Sequence, residues 1–331
     1  MLTLEDKLDL LERLKDHLEQ EELWDHVKQR AYQENGWFVP EFIEVAVANI
    51  TTGLLQPHEL RMWVESYNIP VYQPHPKKVG IVMAGNIPLV GFHDFLCAFV
   101  SGHIQVIKPS SKDKALITYI VDKLSEWNPA VKEFVIFAER LTGCDAYIAT
   151  GSNNTGRYFE YYFRNYPSII RKNRTSIAIL NGSESIEDLE NLSDDMLMYF
   201  GFGCRNVSKI YVPRGFDFVP LLKGLDKYKW MENVSRFKNN YDYNLSLHIL
   251  NHQYYMSNGT LLLVENAALF SPISQVNFEF YNDGNSPLDS LNPEEIQCIA
   301  GKGHIPFGQA QSPGLFDYAD GVDTLSFLAG L

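Results

Sequence analysis

The sequence predicts an α/β protein with a helical N-terminal segment, a parallel sheet covered by helices, and a second α/β domain. Two observations carry this. Short apolar runs alternate with amphipathic helical runs between residues 79 and 180, and strands alternating with helices build a parallel sheet covered on both faces. Before residue 68 the apolar residues instead follow a helical period, with no strand pattern among them.

Leu4, Leu8, Leu11, Leu14 and Leu18 recur at helical spacing among Glu, Asp and Lys, which predicts an amphipathic helix packed on the body of the protein. Asn35-Gly36 breaks the pattern. Residues 40–67 read as one helical stretch whose apolar faces include Phe42, Val45, Val47, Ile50, Leu54, Leu55, Leu60 and Trp63. The prolines at 70, 74 and 76 mark an extended linker. The run 79–85 ends in Gly and predicts a buried strand, 89–100 a buried helix, and 104–107 a second strand. Lys108-Pro109-Ser110-Ser111 follows, then a helix with Leu116, Ile117, Ile120, Val121 and Leu124 on its apolar side. Ser110 or Ser111 is its expected N-cap. Residues 135–138 and 146–149 are further strands, and Thr150-Gly151-Ser152 opens a helix over 155–166. A strand at 176–180 ends at Asn181-Gly182. A helix over 184–198 then leads to Gly201-Phe202-Gly203-Cys204, and a strand at 209–212 leaves it. Helices at 216–225 and 243–251, strands at 260–264 and 275–281, and a loop-rich C-terminus complete the chain. The expected domains are 1–68, 69–178 and 179–331.

The length of 331 residues agrees with two main domains, and 45% hydrophobic residues suffice for a sizeable core. Subtracting 41 acidic from 28 basic residues leaves a net charge of -13. That charge argues against nonspecific binding to nucleic acid or to an anionic membrane. Cys97, Cys144, Cys204 and Cys298 are widely spaced and form no CxxC pair. No metal site or disulfide framework is therefore expected, and a reducing cytoplasm is the expected home. The N-terminus carries charges every few residues and lacks a signal peptide's apolar core. No apolar run approaches the roughly 18 residues of a membrane span.

Parallel sheets bind ligands at the carboxyl ends of their strands, so the loops there are where chemistry is sought. Gly151, Ser152 and Gly156 lie where a strand meets a helix, and a helix N-terminus is a ready anion site. The same residues also describe an ordinary capped helix, and neither GxGxxG nor a Walker loop is present. Lys108, just past a strand end, is a candidate for ribose hydroxyls or simply a solvated lysine. Cys204 is flanked by Gly203 and Arg205. Nearby positive charge favours the reactive thiolate, although a cysteine is more often a small buried hydrophobe. His93-Asp94 reads either as an acid/base pair or as ordinary residues of a helix start. Arg171, Lys172 and Arg174 form a basic cluster, read either as a solvated strand end or as a phosphate contact.

Taken in order, these segments resemble the motifs of the aldehyde dehydrogenase superfamily. Asn86-Ile87-Pro88-Leu89 is similar to N-F-P-L, and Val106-Ile107-Lys108-Pro109-Ser110 to V-[VL]-K-P-S-E. The run from Thr150-Gly151-Ser152 to Gly156-Arg157 is similar to T-G-S-x-x-x-G-[RK], and Gly201-Phe202-Gly203-Cys204 to G-Q-x-C. Phe270-Ser271-Pro272 and Pro306-Phe307-Gly308-Gln309 extend the likeness to the C-terminus. Asn35-Gly36-Trp37-Phe38-Val39-Pro40 and the run from Gly203 to Lys209 most resemble the acyl-CoA reductases of the LuxC type.

The resemblance implies an aldehyde-dehydrogenase-like fold with a Rossmann-type cofactor domain and a catalytic domain. It makes Cys204 the acyl-accepting nucleophile and Asn86 an oxyanion donor. Lys108, Pro109, Ser110, Ser111, Gly151, Ser152, Gly156 and Phe270 become the cofactor residues. Relatives with hydrolytic activity carry a glutamate base upstream of the cysteine, and Arg171 stands there; this disfavours release of an acid. Ala268 stands where a glutamate holds the nicotinamide ribose, which implies looser positioning. Ser111 and Lys112 replace the carboxylate that would repel a 2′-phosphate, which implies NADPH. The expected activity is reduction of an acyl-CoA or other acyl thioester to an aldehyde. The alternatives are a CoA-acylating aldehyde dehydrogenase, or an inactive relative that serves as a binding partner. Self-association is expected on the resemblance alone.

Overall fold

The computed structural model describes residues 2–282 and 287–331. They fall into two compact units, Met1–Asn173 with Pro313–Leu331, and Arg174–Ser312. The first unit opens with α1 (Leu4–Leu18), α2 (Asp25–Glu34), α3 (Pro40–Gly53) and α4 (Pro57–Ser66). A capping box between Thr3 and Asp6 starts α1, and Leu8, Leu11, Leu14 and Leu18 are buried. The helical stretch read over 40–67 forms two helices, α3 and α4. The second begins with Pro57 at its first position, because proline has no N–H to continue the preceding ladder. Helix α2 was not anticipated: its buried positions are Val27, Lys28 and Ala31, too few apolar residues to make a period.

The sheet of this unit consists of β1 (Lys78–Val82), α5 (Phe92–Ser101), β2 (Ile104–Lys108), α6 (Ala115–Trp127), α7 (Val131–Phe134), β3 (Val135–Phe137), β4 (Ala146–Thr150), α8 (Asn153–Phe163) and β5 (Ser168–Arg171) with their helices in chain order. The strand order is β3-β2-β1-β4-β5 and every pairing is parallel. The chain moves outward in opposite directions from β1, so β1 and β4 flank a topological switch point. Loops diverge there and leave a crevice at the carboxyl ends of the strands. Beneath it, Val79, Ile81, Ile107 and Ile148 pack with Phe95 and Leu96 of α5 and Ile120 and Leu124 of α6.

The second unit contains β6 (Thr175–Ile179), α9 (Ile186–Leu197), β7 (Val207–Pro213), α10 (Phe218–Gly224), α11 (Ser235–Leu250), β8 (Met256–Ser257), β9 (Leu262–Glu265), β10 (Gln275–Tyr281) and β11 (Ile296–Gly301). Its sheet runs β11-β6-β7-β10-β9-β8, parallel except for the β8–β9 pair. The tail then returns to the first unit and adds α12 (Thr324–Ala329). A chain of hydrogen bonds fixes it there. Trp63 Nε1 donates to the Tyr318 hydroxyl (2.9 Å), which donates to Tyr67 (2.9 Å), which donates to Asp323 (2.6 Å).

The expected boundaries at 68 and 178 do not coincide with these units. The N-terminal helices share one core with the first sheet, and the last 19 residues join it rather than the second unit. The loop-rich reading of the C-terminus missed β11 and α12. Among the described residues no helix is long and apolar enough to cross a membrane, and no group of three His, Cys, Asp or Glu could hold a metal ion.

Candidate active site

In the first unit the structure brings together the loops that follow β1 and β2. A Cβ on Gly85 would come within 2.5 Å of Ser110 Oγ and 3.2 Å of Asp113 Cβ, so only glycine lets the two loops touch. Asp113 then ties them by a hydrogen bond: its Oδ2 accepts from the Leu89 amide at 2.7 Å. Leu89 itself is left-handed, with φ of 54°, a conformation that costs about 1–2 kcal/mol unless its surroundings enforce it. Burial pushes the Asp113 carboxyl up to about 7, against the lowering effect of the Leu89 amide. Asn86 lies exposed on the first loop, and Lys108 and Ser111 are exposed on the second, with Pro109 and Ser110 half-buried between them. The helix beyond starts at Ala115 without a side-chain cap. Ser110 instead closes its own turn by accepting from the Lys112 amide, which corrects the expected capping by Ser110 or Ser111.

At β4, adjacent to β1, Ser152 is the N-cap of α8 and accepts from the Thr155 amide. The helix begins at Asn153 rather than 155. A Cβ on Gly151 would press on Thr155 and Phe159 (3.1 Å each), and one on Gly156 would come within 3.2 Å of Lys172 Cγ. Both glycines let α8 sit close to the sheet, so its N-terminal amides rise at the switch point. The tight glycine contacts leave the start of this eleven-residue helix as an anion-favouring N-terminus.

Arg171 corrects the sequence reading. It is neither a solvated strand end nor a phosphate contact. At the end of β5 it is 4% exposed, and its guanidinium bonds Asp94 of α5 (2.5 Å) and Thr324 of α12 (2.7 Å). Asp94 is thereby the partner of an arginine rather than half of an acid/base pair with His93, whose Nε2 meets the Leu315 carbonyl at 3.1 Å. Lys172 points outward and pairs with Glu160.

In the second unit, Cys204 sits in the turn between α9 and β7. Three consecutive left-handed residues, Tyr199 (φ 54°), Phe200 (φ 58°) and Gly201 (φ 77°), deliver the chain to it. Phe200 packs on Phe237 and Trp230, which holds a conformation that its own sterics oppose. Asn206, unremarked in the sequence, is the keystone. Its Oδ1 accepts from the Gly203 amide (2.7 Å), and its Nδ2 donates to the Asp195 and Met198 carbonyls (3.1 and 2.9 Å). The Cys204 carbonyl accepts from Ser176 of β6 (3.0 Å). Asp195 binds the amides of Gly308 and Ala310 (2.7 and 3.0 Å), tying the Pro306–Gln309 motif to the end of α9. Burial raises the Asp195 carboxyl to about 6, against the lowering effect of those two amides. Cys204 itself is partly exposed.

The segment from Asn266 to Phe270 follows β9 and is tied to the cysteine's strand. Ser208 donates to the Leu269 carbonyl (2.8 Å), and the fully buried Lys209 donates to the Asn266 and Ala267 carbonyls (2.9 Å each). Asn277 of β10 holds the Ala268 and Phe270 carbonyls. Phe270 is 41% exposed. Lys209 and Asn277 are register partners across β7 and β10. Their roles depend on that pairing, which nothing in the local sequence announces.

No protein-family model and no curated protein matches the sequence. Solved structures do match the fold. A protein from Anabaena variabilis assigned as an aldehyde dehydrogenase, PutA, is 14% identical with a TM-score of 0.66, over 99% of this chain and 87% of that one. Betaine aldehyde dehydrogenase from Staphylococcus aureus is 12% identical with a TM-score of 0.63, over 90% and 71%. The fold is that of the aldehyde dehydrogenases. An aldehyde dehydrogenase from Bacillus cereus, solved with NAD+, is 16% identical with a TM-score of 0.58, over 85% of this chain and 68% of its own.

Proposed function

We propose that the protein reduces an acyl-CoA, or another acyl thioester, to the aldehyde, using NADPH and an acyl group carried on Cys204. The observation that carries this reading is the Arg171–Asp94 pair. Where the resemblance places a hydrolytic base, the chain has a guanidinium buried against a carboxylate, and a locked arginine cannot activate water. An acyl-cysteine formed here would persist until a thiol or a hydride reached it. The thiolate of Cys204 attacks the thioester carbonyl carbon, and the CoA thiolate leaves. The Cys204 backbone N–H stabilises the oxygen that becomes negative. Donors of this kind are worth about 3–4 kcal/mol each. A bound NADPH would supply the hydride that takes the acyl carbon to the aldehyde level. The carbon–sulfur bond then breaks, the aldehyde departs, and Cys204 regains its thiolate. Ser152 and the α8 amides would hold the pyrophosphate, and Lys108 the adenosine ribose. The aldehyde-dehydrogenase fold with a Rossmann-type sheet supports a nicotinamide cofactor, and NAD+ in the Bacillus cereus structure favours the same class.

The reverse reaction, oxidation of an aldehyde to acyl-CoA, uses the same residues, and the names of the matched structures favour keeping it in view. Intact-mass measurement after incubation with an acyl-CoA tests the core of the proposal. The wild type is expected to gain one acyl mass that water removes slowly, and Cys204→Ala to gain none. Adding NADPH should discharge the adduct as aldehyde. An unmodified wild type would sink both directions and favour an inactive binding protein.

Cofactor choice is a separate expectation. Ser111 and Lys112 are exposed beside Lys108, and a hydroxyl and an ammonium tolerate a 2′-phosphate that a carboxylate would repel. Ser111→Glu is expected to lower the NADPH-to-NADH ratio of kcat/KM by roughly tenfold or more, at about 1.4 kcal/mol per tenfold. A wild type that prefers NADH would contradict the assignment.

A further inference from the structure

Gly203 and Arg205 flank Cys204, and each is held by bonds that end at one residue, Asp195 of α9. On one side, Asn206 accepts from the Gly203 amide and donates to the Asp195 carbonyl. On the other, the Arg205 guanidinium donates to the Ala310 carbonyl (3.4 Å), and the Ala310 amide donates to Asp195 Oδ1. Asp195 Oδ2 accepts from the Gly308 amide. Gly308 is left-handed, and a Cβ on it would come within 3.0 Å of Asn191 Cβ, so glycine lets these amides reach α9. Two converging N–H donors call for two acceptor oxygens, which a carboxylate has and an amide side chain has not. The choice is costly, because Asp195 is 0% exposed and a buried carboxylate without a cation is unfavourable. Among the described residues, the one charged group that bears on it is Asp194 of the same helix. Asp194 is itself paired with Lys227 and bonded by Tyr228. Arg205 reaches Ala310 instead, and residues 306–310 carry no charge.

We propose that Asp195 is a positioning residue for Cys204: its carboxylate fixes residues 308–310 against the cysteine turn and so sets the rate at which the thiolate takes an acyl group. The inference rests on the reading of Cys204 as the acyl acceptor, and all of these residues belong to the second unit. An ionised Asp195 holds both amides. Protonated, it turns an O–H donor toward two donors, and one amide loses its bond. Burial raises the carboxyl to about 6, so the change comes just below neutral pH. Its effect on folding has the opposite sign. A carboxyl raised by folding makes the fold more stable as the pH falls through about 6 toward its unfolded value. Acyl capture lost over that range is therefore not lost folding.

The test follows two reactions of Cys204 between about pH 5 and pH 8, without NADPH. Acyl gain from an acyl-CoA and alkylation by iodoacetamide are each read by mass on the Cys204 peptide. Both use the thiolate, so the ratio of their rates removes the thiol's own titration. Alkylation needs little orientation, whereas attack on a thioester carbonyl needs an aligned sulfur. The wild-type ratio is expected to fall roughly tenfold on acidification, with its midpoint at about 6. Asp195→Asn keeps the volume and one acceptor, and should show the low ratio at every pH with no step. A ratio in Asp195→Asn equal to that of the wild type at neutral pH overturns the proposal, as does a step that survives in the variant. Should Asp195→Asn not fold, the wild-type profile decides: a ratio without the step overturns the proposal, and one with it supports it. A wild type that takes no acyl group defeats the reading of the reaction and the proposal with it. A wild type acylated on Cys204 whose ratio ignores both pH and the substitution defeats the proposal alone.

Discussion

Arg171→Ala is expected to destabilise the first unit by about 3–5 kcal/mol, the cost of removing one partner from a buried ion pair. The size follows from what is left behind. The Asp94 side chain is 11% exposed, so its carboxylate would stay buried without the guanidinium that balances it. Thr324 would lose its bond from the same side chain, and with it one of the contacts fastening α12 to the unit. Arg171→Met together with Asp94→Leu should recover most of the loss, because apolar residues of similar volume remove both charges at once. Urea unfolding checks this. Equal destabilisation in the single and double variants would show that the unpaired Asp94 carboxylate is not the source of the loss.

That pair also shows why the site was only partly legible. The strands at 79, 104, 146 and 176 announced themselves through apolar runs, because a buried parallel strand must be apolar on both faces. The loops after them could be placed for the same reason. Ser152, Gly151 and Gly156 behave as their residue types suggest, since capping and close approach are local effects. Arg171 could not be read this way. Its partners lie 77 and 153 residues distant, and next to Lys172 and Arg174 it looks like a surface cluster. The alternation of β5 decides otherwise, turning Arg171 in and Lys172 out. Asn206, Lys209 and Asn277 escaped for a related reason. Each is a polar residue buried among backbone carbonyls, and which carbonyls those are depends on strand register. Asp113 carried one faint signal, an acidic residue two past Ser111 in a loop already marked as cofactor-binding.

Asn206→Ala should have the larger functional effect, because it removes the atom group on which the cysteine turn is built. Its amide side chain is buried and serves three backbone groups: the Gly203 amide and the Asp195 and Met198 carbonyls. Two of those carbonyls are at the end of α9, where a helix leaves its last carbonyls without intrahelical partners. A buried group left unsatisfied costs about 1–3 kcal/mol. The second unit is therefore expected to lose about 3 kcal/mol or more on denaturation. The loss of chemistry should exceed this. Gly203 precedes Cys204 directly, and the left-handed Tyr199, Phe200 and Gly201 store strain that the Asn206 bonds hold in place. Released, the turn relaxes, and a misplacement of about 1 Å lowers a reaction rate roughly 10²-fold. Acyl capture by Asn206→Ala, measured by intact mass under conditions where it is fully folded, should slow by about that factor. Asn206→Asp refines the test. It keeps an acceptor for Gly203 but turns a carboxylate oxygen toward two carbonyls, where the amide had donated. It should therefore be nearly as slow as the alanine variant. Capture at the wild-type rate in both variants would mean that Cys204 is held by Ser176 and its strand alone.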